Sequence, residues 1–223
     1  MKKVSIHIFI LTLCLIISNV VSGQVIHSAR NKKEANTHIE QLRKGVLIVQ
    51  IATQDKKVEQ LEKMVRSNPS DKRLRKMLAE TIAESDDLLE ATIRAYNSNF
   101  DFSKVVFMPD TMVKRLFAGE RTGLFLDISG KLDATIKLET ADFYICYIGL
   151  PASNTGKKSL VIIDDKGNNL GRPFPYAVTF YTLGNLIVGS SDAESVEDAV
   201  IKQNKKLKGF LKKVRLKELN EGA

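Results

Sequence analysis

The chain has 223 residues, one domain's worth and enough to bury a sizeable core, with a formal net charge of +8. Two cysteines and three histidines leave no Cys/His constellation for zinc, and the absence of Trp with only 7% aromatic residues weighs against a carbohydrate-stacking platform. Between Val196 and Leu219 eight basic residues face three acids, so the basic excess belongs to one segment and not to a basic domain, and no nucleic-acid partner is expected.

The first element in chain order is an export signal. Lys2 and Lys3 form a positive start, Ile8–Ile17 (IFILTLCLII) an apolar core, and Val21-Ser22-Gly23 a peptidase site of small or tolerated residues. This pattern predicts a cleavable signal peptide over 1–23, cut after Gly23 (or after Ser22), with Gln24 as the new N-terminus. The apolar core is about ten residues, half of the roughly 20 that span a bilayer. Cys14 sits inside that core and not at the cut, so lipidation is not expected. Loss of the two lysines takes the net charge from +8 to +6. It also leaves Cys146 as the sole cysteine, which excludes an intramolecular disulfide. No later run is long and apolar enough to cross a membrane, so residues 24–223 read as a single α/β domain, opened by a loose leader over 24–33.

Within the domain, Ala35, Ile39 and Leu42 follow helical spacing and Gly45 stops that helix. Val46–Ile51 (VLIVQI) is a compact β-branched run, read as a buried strand. Thr53 or Asp55 can cap the next helix, whose apolar face is Val58, Leu61, Met64 and Val65. Asn68-Pro69-Ser70 breaks it, and Ser70 is the expected cap of a long helix over 71–96. Leu74, Met77, Leu78, Ile82, Leu88, Leu89, Ile93 and Tyr96 form one stripe along that helix, and the small residues Ala83 and Ser85 within it suggest a close neighbour. Lys104–Met108 is the second strand, followed by a short helix ending at Gly119. Gly123–Ile128 (GLFLDI) reads as a third strand and Phe143–Gly149, apolar on both faces, as a central fourth. Ser159–Asp164 and Tyr176–Thr182 follow, then a closing helix over 194–219, on which Val196, Val200, Leu207, Phe210, Leu211 and Val214 form a stripe that docks on the sheet, with Gln203 or Asn204 interrupting it. The order predicts an α/β fold: a mixed, partly parallel sheet with helices on both faces, one long central helix and a basic C-terminal helix.

Few constellations carry chemistry. Ser153–Ser159 (SNTGKKS) is reminiscent of a phosphate loop, but a strand and not a helix follows it, and Lys158 stands where Ser/Thr is required. Asp127–Leu132 (DISGKL) and Leu160–Asp165 (LVIIDD) resemble two motifs of haloacid-dehalogenase-type phosphatases. Ser129 replaces the usual second acid, however, and too few residues separate the two pieces for the intervening units, so phosphatase chemistry is not expected. Cys146 lies mid-strand among apolar residues and reads as a buried small hydrophobe. With one cysteine, C-x-x-C redox chemistry is excluded despite some likeness in element order to thioredoxin-like folds. No cofactor and no metal site are expected.

What remains is location. In open α/β sheets ligands sit beyond the carboxyl ends of parallel strands. The candidates there are Thr53, Gln54, Asp55, Lys56 and Lys57 after the first strand, Asp110 and Thr111 after the second, and Asp127 and Ser129 after the third. On the closing helix, Lys205, Lys206, Lys212 and Lys213 are candidates for contact with an acidic partner.

Gln41–Lys57 (QLRKGVLIVQIATQDKK), the long helix, Ala95–Asp110 (AYNSNFDFSKVVFMPD) and Asp164–Tyr176 (DDKGNNLGRPFPY) are similar to a family of exported bacterial α/β proteins with no assigned function. The resemblance implies an exported α/β domain and transfers no catalytic residue. The expected function is that of a periplasmic or extracellular binding or interaction module, its partner an anionic envelope component or a protein. The alternative is an enzyme acting on an anionic small molecule at the strand-end edge.

Overall fold

The computed structural model describes residues 31–152, 156–180 and 192–221, so the predicted signal peptide over 1–23 and most of the expected leader over 24–33 lie outside the described residues. Helix α1 (31–44) buries Ala35, Ile39 and Leu42, the three residues its spacing singled out. Gly45 ends it for a steric reason: its N–H donates to the Gln41 carbonyl, and any Cβ there would collide with the Asp142 carbonyl oxygen.

Strand β1 (Val46–Ile51) follows at once and pairs in parallel with β2 (Lys104–Pro109) on one side and β3 (Phe143–Gly149) on the other. β4 (Ser159–Ile163) adds antiparallel to β3, and β5 (Ala177–Thr179) antiparallel to β4. The strand order is β2-β1-β3-β4-β5, which makes β3 the middle strand, as its two apolar faces require. The predicted last strand is shorter than expected, and Tyr181 and Thr182 lie outside the described residues.

The sequence-predicted strand at Gly123–Ile128 is not one. Leu124, Phe125 and Leu126 are all buried, but the segment meets the sheet only through a bridge in which Leu126 lies antiparallel to Phe107 of β2. Three consecutive buried apolar residues mark a chain wedged between the sheet edge and its covering loops, and such a chain has no second face to alternate. The third parallel strand is therefore 143–149.

Alternate residues of β1 point into two cores. Leu47, Val49 and Ile51 join a large core with α1, the end of helix α3 (Lys72–Asn99) and helix α5 (Asp192–Glu221). Val46 and Ile48 join a smaller core on the opposite face, closed by Leu116 of the short helix α4 (Val113–Phe117) and by Leu124, Phe125 and Leu138 of the loops around it. Helices thus cover both faces, unequally. The connection from β1 to β2 steps one way along the sheet and that from β2 to β3 steps back, so crossovers of a single hand must use opposite faces.

Two helix starts differ from expectation. α2 (Asp55–Ser67) begins after Gln54, whose φ of 55° places it in the left-handed region, with no side-chain cap. α3 is capped by Asp71 and not Ser70: one Asp71 carboxylate oxygen accepts from the Arg73 and Leu74 amides. The predicted stripe of α3 is also only half used. Ala91, Thr92, Ile93, Ala95 and Tyr96 are buried, whereas Met77 is 39% and Ile82 41% exposed. That outer half packs on α2, which itself buries only Leu61, so α2 and the start of α3 form an arm beyond the sheet. Ser85 marks the close approach its size suggested, donating to the Thr53 carbonyl at 3.0 Å.

Of the stripe predicted on α5, Val196, Val200, Leu207, Leu211 and Val214 are buried and Phe210 is half-buried, and the helix packs on α3, β4 and β5. Gln203 does not interrupt that stripe as its polarity suggests. It is 1% exposed and hydrogen-bonded inside the core.

Candidate functional site

The strand-end candidates resolve into separate groups. Thr53 and Asp110, at the ends of β1 and β2, come together: the Thr53 amide and hydroxyl both donate to one Asp110 carboxylate oxygen, at 3.2 and 2.9 Å. With the Thr53 carbonyl taken by Ser85, the pair is a clasp between two strand ends, and that oxygen of Asp110 is already doubly engaged. Gln54 accepts from the Lys57 ammonium at 3.4 Å, while Asp55, Lys56 and Thr111 are exposed.

Asp127 is not brought to this edge. Its segment runs antiparallel to β2, so the chain after Leu126 heads back towards the amino end of the sheet. One Asp127 carboxylate oxygen accepts from the Ser129 amide, the Ser129 hydroxyl and the Lys131 amide, all within 3.0 Å. Those donors, the Lys131 amide foremost, hold its carboxyl below the usual range. Asp164 is used the same way, accepting from the amides of Lys166 and Asn168. Asp127 and Asp164 of the phosphatase-like motifs are thus turn-formers serving their own loops. Of the phosphate-loop-like stretch, residues 153–155 lie outside the described residues, and Gly156–Lys158 leads into β4.

Cys146 is fully buried and unpaired, and burial pushes its thiol up. It contacts the Tyr96 hydroxyl at 3.2 Å and the Gln203 amide nitrogen at 3.3 Å. A second polar group was not legible in the sequence: on the same large-core side of the sheet, His38 Nδ1 lies 2.8 Å from the Tyr144 hydroxyl, which donates to Gln41. With the hydroxyl proton engaged there, Nδ1 carries the hydrogen towards Tyr144. Among the described residues no His, Cys, Asp or Glu converge in a set that could hold a metal ion.

Cavities lie elsewhere. A groove of about 440 Å³ runs between the end of α1, the Asp101–Phe102 turn and the last turns of α5. Arg43, Lys208, Lys212 and Arg215 surround it, and Phe102, Leu211, Leu216 and Leu219 form its apolar lining. A second hollow, of about 440 Å³, lies on the other flank of α5, between Lys206 and the Arg172–Tyr176 turn. A third, of about 420 Å³, separates α3 from Ile128 and Ser129. Of the strand-end candidates Ser129 lines the third hollow, whereas Thr53, Gln54, Asp55, Lys56, Lys57, Asp110, Thr111 and Asp127 line none of the three. The sequence pattern points to Lys212 and Lys206 but not to Arg43, Phe102, Leu216 or Leu219. The signal for the last two was their position, apolar residues outside the docking stripe of α5.

Lys205, Lys206, Lys212 and Lys213 are all exposed. A spacing of seven is nearly two helical turns, so Lys205 and Lys212 share one row and Lys206 and Lys213 the next. Fold and surface together define a mixed α/β domain with a cationic closing helix. No family model, curated protein or solved structure matches the chain.

Proposed function

We propose that the chain is an exported, non-catalytic binding domain whose α5 meets an anionic component of the cell envelope, in the periplasm or outside the cell. One observation carries this reading. Lys202, Lys208 and Arg215 of α5 are paired with Asp198, Asp101 and Glu40, whereas Lys205, Lys206, Lys212 and Lys213 have no acid partner among the described residues. Near an anionic surface each such residue contributes about 1 kcal/mol, and the attraction falls off over about 8 Å at physiological ionic strength. The export pattern at the N-terminus and the resemblance to exported proteins support the location, and the clasped Thr53–Asp110 pair offers the enzyme reading little.

The test is sedimentation of the mature chain with phosphatidylglycerol vesicles at low and high salt, phosphatidylcholine vesicles serving as the neutral control. Binding to the anionic vesicles at low salt, lost at high salt and in the variant with all four lysines changed to Gln, is the expected result. Absence of binding by the wild type at low salt, or equal binding by the variant, overturns the reading. Export is checked by mass spectrometry of protein recovered outside the cytoplasm: an N-terminus at Gln24 or Gly23 is expected, and an intact Met1 contradicts it.

A further inference from the structure

We infer that the groove between α1 and the last turns of α5 is a binding site for a single-chain anionic amphiphile, of which a long-chain carboxylate is the simplest case. The inference rests on the reading of α5 as an anion-contacting helix and names the ligand chemistry of one flank of it.

The groove has the two halves such a ligand needs. Its floor is apolar and fixed: Phe102 is 1% and Leu211 7% exposed. Its open side carries apolar surface that water still reaches, with Leu216 51% and Leu219 70% exposed. A volume of about 440 Å³ falls in the range of small-molecule sites. An acyl chain laid along it would cover Leu216 and Leu219 and gain the free energy of apolar burial.

The cationic side is equally specific. Lys208 and Arg215 are already neutralised by Asp101 and Glu40. Arg43 is not: its Nη1 donates to the Phe102 carbonyl, its guanidinium lies 5.8 Å from the centre of the Phe102 ring, and it has no acid partner among the described residues. The carbonyl bond fixes the guanidinium at the groove mouth and leaves its other donors for an anion. Lys212 is the second cation there without an acid partner among the described residues. Two cations without an acid partner among the described residues, set beside an apolar slot, complement one carboxylate head on one chain. A flat anionic surface would satisfy the charges and leave the recessed floor uncovered.

The experiment is calorimetric titration of the mature chain with sodium laurate below its micelle concentration, with decanoate as the shorter homologue. Saturable one-to-one binding is expected, about fifteenfold weaker for decanoate, which is two methylenes shorter, because each methylene contributes about 0.8 kcal/mol. Leu216→Asp is expected to weaken laurate binding at least tenfold and Lys212→Gln about threefold. Both side chains are exposed, so the urea midpoints should hold and report intact folding. No saturable heat, indifference to chain length, or unchanged binding by Leu216→Asp overturns the proposal. So does sedimentation-velocity self-association that Leu216→Asp abolishes without any laurate binding, which would make the groove an interface between copies. The vesicle experiment separates the two readings. Laurate binding without vesicle binding sinks only the envelope contact, and vesicle binding without laurate binding sinks only the groove.

Discussion

The Tyr96 hydroxyl donates to the side-chain oxygen of Gln203 at 2.7 Å, tying α3 to α5 between two residues that are each 1% exposed. The other end of the Gln203 amide donates to Cys146 Sγ at 3.3 Å, and the thiol lies 3.2 Å from the Tyr96 oxygen. Since Tyr96 has spent its only proton on Gln203, the thiol is the donor in that last contact. Three side chains from α3, β3 and α5 thus close a ring of hydrogen bonds across the core, each acting once as donor and once as acceptor.

A ring of this kind is costly to open at one point. Tyr96→Phe strands the Gln203 oxygen in the core and is expected to cost about 1–3 kcal/mol by urea denaturation. Adding Gln203→Leu removes the stranded group, so the double variant should be more stable than the sum of the two single losses predicts. Strict additivity would mean that the two side chains do not depend on one another.

The same burial sets a pH limit. Desolvation, first among the causes, pushes Tyr96 well above its ordinary 10.0 and Cys146 above its ordinary 9.0. The folded protein then keeps protons that the unfolded chain releases. The stabilisation is fully present below about pH 9 and is lost progressively as pH rises past the unfolded values. The urea midpoint should therefore fall between pH 8 and pH 10.5, and fall less in Cys146→Ala. In the native state at neutral pH the thiol should react with a disulfide reagent only after denaturant is added.

Asp110 is expected to act as a clasp and not as a catalytic acid. Asp110→Ala leaves the half-buried Thr53 amide and hydroxyl without their acceptor and should cost about 1–3 kcal/mol. Asp110→Asn keeps an oxygen in place and should cost less. Equal stability of Asp110→Ala and wild type by urea denaturation would show that the clasp carries no stability, and would reopen the strand-end edge as a site.

Residues that pack against one surface are legible in the amino-acid pattern itself. Ala35, Ile39 and Leu42 of α1, and Val196, Val200, Leu207, Leu211 and Val214 of α5, each announce a single buried face, and each is buried. Residues whose surroundings have two sides are not. Leu124–Phe125–Leu126 reads as a strand because apolar runs signal burial, but periodicity does not say whether sheet or loop does the burying. Gln203 looks like a break in a stripe because its partner lies 107 residues away, a separation no local pattern records. The groove escapes for a related reason: Arg43, Phe102 and Leu216 belong to three segments that only the folded chain brings together.

The arm formed by α2 and the outer half of α3 supplies the last expectation. Leu61 is the only buried residue of α2, and Thr81 the only one in α3 before Ala91. Met64, at 48% exposed, Met77 and Ile82 gain little from folding. The ion pairs there are exposed i,i+4 contacts such as Glu59–Lys63 and Lys76–Glu80, which water screens. The inner half of α3 is different, because Ala91–Tyr96 packs on the sheet and on α5 and opens only when the core does. Amide hydrogen exchange should therefore split α3 in two, with residues 72–84 exchanging by local opening and 91–96 approaching the global unfolding free energy. Replacing Met64, Met77 and Ile82 together by Gln should shift global stability by no more than about 0.5 kcal/mol per site, whereas Ile93→Ala, at 5% exposed, should cost about 2–5 kcal/mol. Uniform protection along the whole of α3, or a large loss from the exposed triple variant, would mean that the arm is covered in solution by something that the fold of one chain does not supply.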